Sequence, residues 1–119
     1  MSSKPTGSTA GEDRCCRRTE HTLTGEELST DVRTLAAVGN DTRYETLRLV
    51  SSGDGGVCGC EIEPSLDVSQ GAVSQALSKL HAADLVTRRT EGRWRYYETT
   101  ERAERLLDVL DETRGSTDE

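Results

Sequence analysis

A small, mostly helical domain closed by one β-hairpin is the fold class that the sequence predicts. Three observations predict it: stretches with apolar residues at helical spacing, two strand-like runs on either side of a glycine, and capping or turn residues at the junctions. The chain has 119 residues, 32% of them apolar and none phenylalanine, which is enough for one domain with a modest core. A modest core in a short chain makes burial between two copies an expected source of stability.

Residues 1–22 hold Ser, Thr, Gly and charge, with Cys15 and Cys16 set among Arg14, Arg17 and Arg18. They cannot bury a face and are expected to form a mobile arm ahead of a domain over residues 23–112. Thr24 and Glu27 fit a capping box for the first helix, which carries Leu28, Val32, Leu35 and Val38. Gly39-Asn40 ends it, and Asp41 is placed to cap the second, with its stripe of Tyr44, Leu47 and Val50. After a glycine-rich turn, Val57-Cys58-Gly59-Cys60 leads into a short helix with Ile62 and Leu66 inward. Pro64 lacks an N–H and crowds the turn before it, which predicts a helix that is short, kinked or partly 3₁₀.

Asp67-Val68 turns the chain, and Ser69 caps a longer helix that buries Val73, Ala76, Leu77 and Leu80. The runs Leu85–Thr90 and Arg93–Tyr97, separated by Glu91-Gly92, predict the hairpin. Arg93, Arg95 and Tyr97 would share one face of its second strand, and Trp94 and Tyr96 the other. Thr99 or Thr100 caps a last helix with Ala103, Leu106, Leu107 and Leu110, and residues 113–119 read as a polar tail. A short helix, a tight turn, a longer helix and then a hairpin form a winged helix-turn-helix, in the order α1-α2-α3-α4-wing-α5.

That pattern points to double-stranded DNA. A helix fits the major groove, and residues near its N-terminus meet base edges there. The candidates are Ser69, Gln70, Gly71, Ser74, Gln75, Ser78 and Lys79, with the glutamines suited to adenine. The hairpin adds Arg88, Arg89, Arg93 and Arg95 against Glu91, a charge suited to phosphates or a minor groove. The net charge of −7 opposes this, but it is unevenly spread: −5 over residues 1–68, +2 over 69–105 and −4 over 106–119. Thirteen arginines against two lysines, with abundant Asp, Glu and Thr, resemble the proteins of halophilic archaea. Phosphate contacts weaken steeply in such salt.

Four cysteines are present: Cys15, Cys16, Cys58 and Cys60. Adjacent or one-apart cysteines are poorly placed to bridge each other, and no apolar leader or membrane-length run occurs. Reduced thiols in the cytoplasm are therefore expected. Soft thiolates suit arsenite, antimonite, cadmium, lead or zinc. The arginines beside Cys15 and Cys16 are expected to favour the thiolate. His21 is a weak further ligand candidate, since a lone histidine in a polar segment is ordinarily surface.

The segments Leu35-Ala36-Ala37-Val38-Gly39-Asn40-Asp41-Thr42-Arg43, Val57–Cys60, Val68–Leu80 and Glu91–Tyr97 together resemble the arsenic-repressor (ArsR–SmtB) family of metal-sensing regulators. The resemblance covers about residues 28–112 in order and spacing. It implies a homodimer through the first and last helices, with Leu28, Val32, Leu35, Leu106 and Leu110 at the interface. It also implies that Cys58-Gly59-Cys60 is the Cys-x-Cys motif by which an ion releases the repressor from operator DNA. The motif often continues to a third cysteine, here Glu63, so Cys15 and Cys16 are expected to complete an S₃ or S₄ site. In an ideal helix, residues two apart point about 200° apart, so both sulfurs reach one ion only if residues 57–61 leave regular helix. Binding there is expected to pull on the element that supports the long helix of the pair. Residues 100–112 hold no histidine, which argues against a site on the last helix. A thiol-redox sensor and a constitutive regulator with inert cysteines are the alternatives. No Cys–His–acid grouping or phosphate loop points to an enzyme.

Overall fold

The computed structural model describes residues 16–115, so Cys15 lies outside the described residues. Helix α1, Gly25–Val38, starts as the capping box requires: the Thr24 hydroxyl accepts the Glu27 N–H at 3.0 Å, and the Glu27 carboxylate accepts the Thr24 N–H at 2.9 Å. Helix α2 spans Asp41–Ser51. Its N-cap is Asn40 rather than the expected Asp41. The Asn40 backbone is extended, and its side-chain oxygen accepts the Arg43 N–H at 3.0 Å.

Next come β1 (Val57–Cys58), α3 (Gly59–Ile62) and a 3₁₀ turn over Glu63–Ser65. The change of helix type falls at Pro64, as its missing donor predicts. Helix α4, Gln70–Ala82, is capped by Ser69, and strands β2 (Val86–Glu91) and β3 (Trp94–Thr99) form the hairpin. Helix α5, Glu101–Arg114, is capped by Thr100 and extends through Thr113 and Arg114, two residues of the expected tail. Among the described residues no helix is long and apolar enough to cross a membrane.

The sheet has three antiparallel strands in the order β1-β3-β2. Strand β1 was not expected, because two residues hold no periodicity. The hairpin register closes on Glu91 opposite Trp94, so the turn is Gly92-Arg93 rather than Glu91-Gly92. Gly92 takes the positive φ of 64° that such a loop needs. Arg93 consequently stands in the turn and does not share a strand face with Arg95 and Tyr97.

The core lies between α2, α4, the sheet and the start of α5. Leu47, Leu80, Leu85 and Ala103 are fully buried in it, joined by Val50, Ile62, Val73, Leu77 and Leu107. Helix α1 contributes little: its buried residues are Thr34 and Ala37. The larger Leu28, Val32 and Leu35 are 45%, 55% and 61% exposed, which turns the apolar stripe of α1 outward.

Glu104 ties three elements together. Its carboxylate accepts hydrogen bonds from Ser51 at the end of α2 (2.8 Å) and from Thr99 at the end of β3. The Thr99 and Ser51 hydroxyls, in that order, hold it below the ordinary carboxylate value. A carboxylate depressed on folding stabilises the fold above its unfolded value, about 4.3 for Glu, and that contribution vanishes as pH falls through the folded value. Glu104→Gln is therefore expected to lower the melting temperature at neutral pH, with the gap to the native chain closing on acidification. A gap independent of pH would exclude this assignment.

Candidate nucleic-acid interface and thiol pair

The amphipathic pattern of α4 sets its outer face. With Val73, Ala76, Leu77 and Leu80 buried, Gln70, Gly71, Ser74, Gln75, Ser78 and Lys79 are all exposed. Gln70, Ser74 and Ser78 form one row at four-residue spacing, and Gln75 and Lys79 the row beside it. The Ser69 oxygen is committed to the cap, accepting the Ala72 N–H at 3.1 Å. Lys79 and Gln75 border a cleft of about 190 Å³ with Asn40, Thr42 and Arg43. Arg43 donates there to the carbonyls of Ala37 (2.7 Å) and Ala36 (3.1 Å), closing the end of α1.

The four wing arginines divide into two kinds. Arg88, Arg93 and Arg95 are exposed and have no ion pair among the described residues. Arg89 donates to Glu91 at 2.8 Å and to the Gly55 carbonyl at 3.3 Å, and lies 5.1 Å from the centre of the Tyr96 ring. A phosphate contact displaces counterions, so each one lost lowers the slope of log affinity on log salt by about 0.9. Replacing Arg93 and Arg95 together by Ala is expected to lower that slope by about 1.8 and to weaken all DNA sequences alike. Equal slopes in filter binding across a salt series would remove the wing from the interface.

Cys58 and Cys60 sit where β1 becomes α3. Cys58 is buried and extended (φ −71°, ψ 138°), and serves as the N-cap of α3: its sulfur accepts the Cys60 N–H at 3.3 Å. The helix begins only at Gly59, so the two sulfurs are not held to the opposite faces that regular helix would impose. Cys60 is exposed. Its thiol is held above its ordinary value first by the hydrogen bond to the Cys58 side chain, then by desolvation and by the neighbouring Cys58 and Glu61.

Cys58 and Cys60 line a cleft of about 260 Å³ between α4 and the wing, which they share with Gln70, Ser74, Arg93 and Arg95. Among the described residues no group of three or more His, Cys, Asp or Glu side chains converges, so these two sulfurs stand without a third donor there. Cys16 is exposed. The ring nitrogen of His21 is engaged locally, accepting the Leu23 N–H at 3.1 Å.

The family model for bacterial regulatory proteins of the arsR family matches residues 40–88, which run from the cap of α2 into β2. Over 104 residues, 87% of each chain, the sequence is 53% identical to a Halobacterium salinarum protein that carries the name arsenical resistance operon repressor ArsR2. The chain belongs to the ArsR family. A second Halobacterium salinarum protein, named for the same operon type as ArsR, is 46% identical to this ArsR-family chain over 76% of its length and 70% of its own. The shared source of these two relatives agrees with the halophile-like composition. The solved homodimeric winged helix-turn-helix DNA-binding domain Mb0332 of Mycobacterium bovis shares the fold with a TM-score of 0.70 at 22% identity, over 84% of this chain and 94% of that one.

Two features of this ArsR-family chain escaped the sequence reading. Cys58 lies in a strand of the wing sheet, which two residues could not announce. Arg89 holds the carbonyl of Gly55, a partner too distant in sequence to be inferred from charge pattern.

Proposed function

We propose that the chain is a homodimeric repressor acting on operator DNA in the cytoplasm, released when a thiophilic ion binds Cys58 and Cys60. The observation that carries this reading is the shared cleft: the thiol pair lies beside Gln70 and Ser74 on α4 and beside Arg93 and Arg95 of the wing. Gln70 and Gln75, with Gly71, Ser74, Ser78 and Lys79, read or flank base edges in the major groove. Arg88, Arg93 and Arg95 neutralise phosphates. An ion on the thiols therefore acts within the DNA-reading surface.

Arsenite or antimonite is the favoured inducer, as the names of the relatives suggest, with cadmium, lead or zinc as further thiophilic ions. Cys58 and Cys60 would hold the ion together with one or both arm thiols, Cys15 and Cys16, since a trivalent pyramidal site takes three sulfurs. The relatives it matches are named as repressors, and the chain is accordingly read as a regulator rather than an enzyme.

The dimer reading rests on α1 and α5. Leu28, Val32 and Leu35 form one stripe, and Val109 and Leu110 are 53% and 38% exposed on α5. A groove of about 360 Å³ joins the two helices along Leu35, Leu106 and Val109. Exposed apolar side chains concentrated on two adjacent helices mark a surface that another copy covers.

The test is a titration of purified protein on operator DNA selected in vitro, challenged separately with arsenite, antimonite, cadmium, lead and zinc. Release by at least one ion is expected. Release by oxidant alone would favour the redox alternative, and release by neither would leave a constitutive regulator. A divalent ion must displace protons from the thiols, so its apparent affinity is expected to rise with pH.

A further inference from the structure

Strand pairing places Cys58, Tyr96 and Arg89 in one row across all three strands: Cys58 is opposite Tyr96 in β3, and Tyr96 is opposite Arg89 in β2. The Arg89 guanidinium lies over the Tyr96 ring at 5.1 Å and continues to the carbonyl of Gly55, 3.3 Å away, in the loop that enters β1. It also holds Glu91 at 2.8 Å and approaches the Glu98 carboxylate at 4.0 Å. Gly56 makes room for this span. Its φ is 114°, and a Cβ there would stand 3.2 Å from a guanidinium nitrogen.

We propose that Arg89 is a positioning residue that carries a change at Cys58 to the wing, through the Cys58–Tyr96–Arg89 row and the bond to Gly55, and does not contact DNA phosphate. The inference rests on Cys58 and Cys60 being the ion-binding thiols. An ion that draws on the Cys58 sulfur competes with the bond that sulfur accepts from the Cys60 N–H. The backbone at residue 58 must then adjust, and β1, only two residues long, has little ladder of its own to resist. An exposed ion pair such as that to Glu91 stabilises the fold very little by itself. A planar guanidinium held by several partners at once fixes geometry instead. It makes the hairpin follow β1 where the edge strand would otherwise peel away alone.

The experiment compares the native chain with Arg89→Ala, Arg89→Lys and, as a phosphate-contact control, Arg95→Ala. Operator affinity is measured across a salt series with and without arsenite or cadmium ion. Arg95→Ala is expected to lower the salt slope by about one, and Arg89→Ala to leave it at the native value. The ion-induced loss of operator affinity, on the order of 5–150-fold between coupled sites, is expected to shrink at least about fivefold in Arg89→Ala. Arg89→Lys should behave as Arg89→Ala, because an ammonium cannot fork between Gly55 and Glu91.

A reduced slope in Arg89→Ala with rescue by lysine would make Arg89 a phosphate contact and overturn the proposal. So would an undiminished ion response in Arg89→Ala. If the native chain itself stays on the operator with either ion, the thiol reading fails first, visibly before any variant, and the Cys58–Tyr96–Arg89 row has nothing to transmit.

Discussion

With glutamate at both Leu35 and Leu110, the chain is expected to sediment as a monomer and to lose operator affinity by about 10²–10⁴-fold, the usual gain from engaging two linked half-sites. The two side chains are 61% and 38% exposed in the single chain, so charges there leave its own core intact. Circular dichroism of the double variant should therefore remain native, while its thermal midpoint no longer depends on protein concentration. In a pair of copies the same two charges would be buried without partners, which is costly enough to prevent assembly. A native chain that sediments as a monomer, or a double variant that still dimerises, would refute the α1–α5 interface.

The second large effect is on induction. Cys58→Ser and Cys60→Ser are each expected to bind operator normally and to show no release at ion concentrations that free the native protein. The coupling, on the order of 5–150-fold, falls to none because a hydroxyl does not replace a soft thiolate. Folding is no obstacle at either position. Serine is a good N-cap and can accept the Cys60 N–H in place of the Cys58 sulfur, and Cys60 is exposed. Replacing Cys15 and Cys16 together separates the arm from the pair. If the arm completes the site, the double variant loses most of its ion affinity, and X-ray absorption on the native complex counts three or four sulfurs. A count of two, with an unaltered response in the double variant, would restrict the site to Cys58 and Cys60.

Local chemistry made most of the fold legible. The Thr24–Glu27 box, the Ser69 cap, the Pro64 break and the stripe of Val73, Ala76, Leu77 and Leu80 each act within a turn or two of helix, and each stands where the sequence places it. The misplacements were equally local. Asn40 and Asp41 are both good caps, and Glu91-Gly92 and Gly92-Arg93 both supply a glycine to the turn; only the register decides between them. What stayed hidden depends on distant pairing. Strand β1 exists because β3 is there to receive it, and the bond from Arg89 to the Gly55 carbonyl joins residues 34 apart, a pairing that charge pattern does not announce. Periodicity likewise revealed the Leu28–Val32–Leu35 stripe of α1 but not its direction. A stripe that points away from its own core has the same sequence as one that points toward it.

Trp94, the single tryptophan of the chain, stands 49% exposed beside the hairpin turn and lines the cleft that also holds Cys58 and Cys60. Its emission therefore watches the wing and that cleft. Unlabelled protein should report operator docking through that one fluorophore. In a denaturation experiment the same signal should follow loosening of the hairpin, and it will part from ellipticity wherever the wing frays before the helices melt.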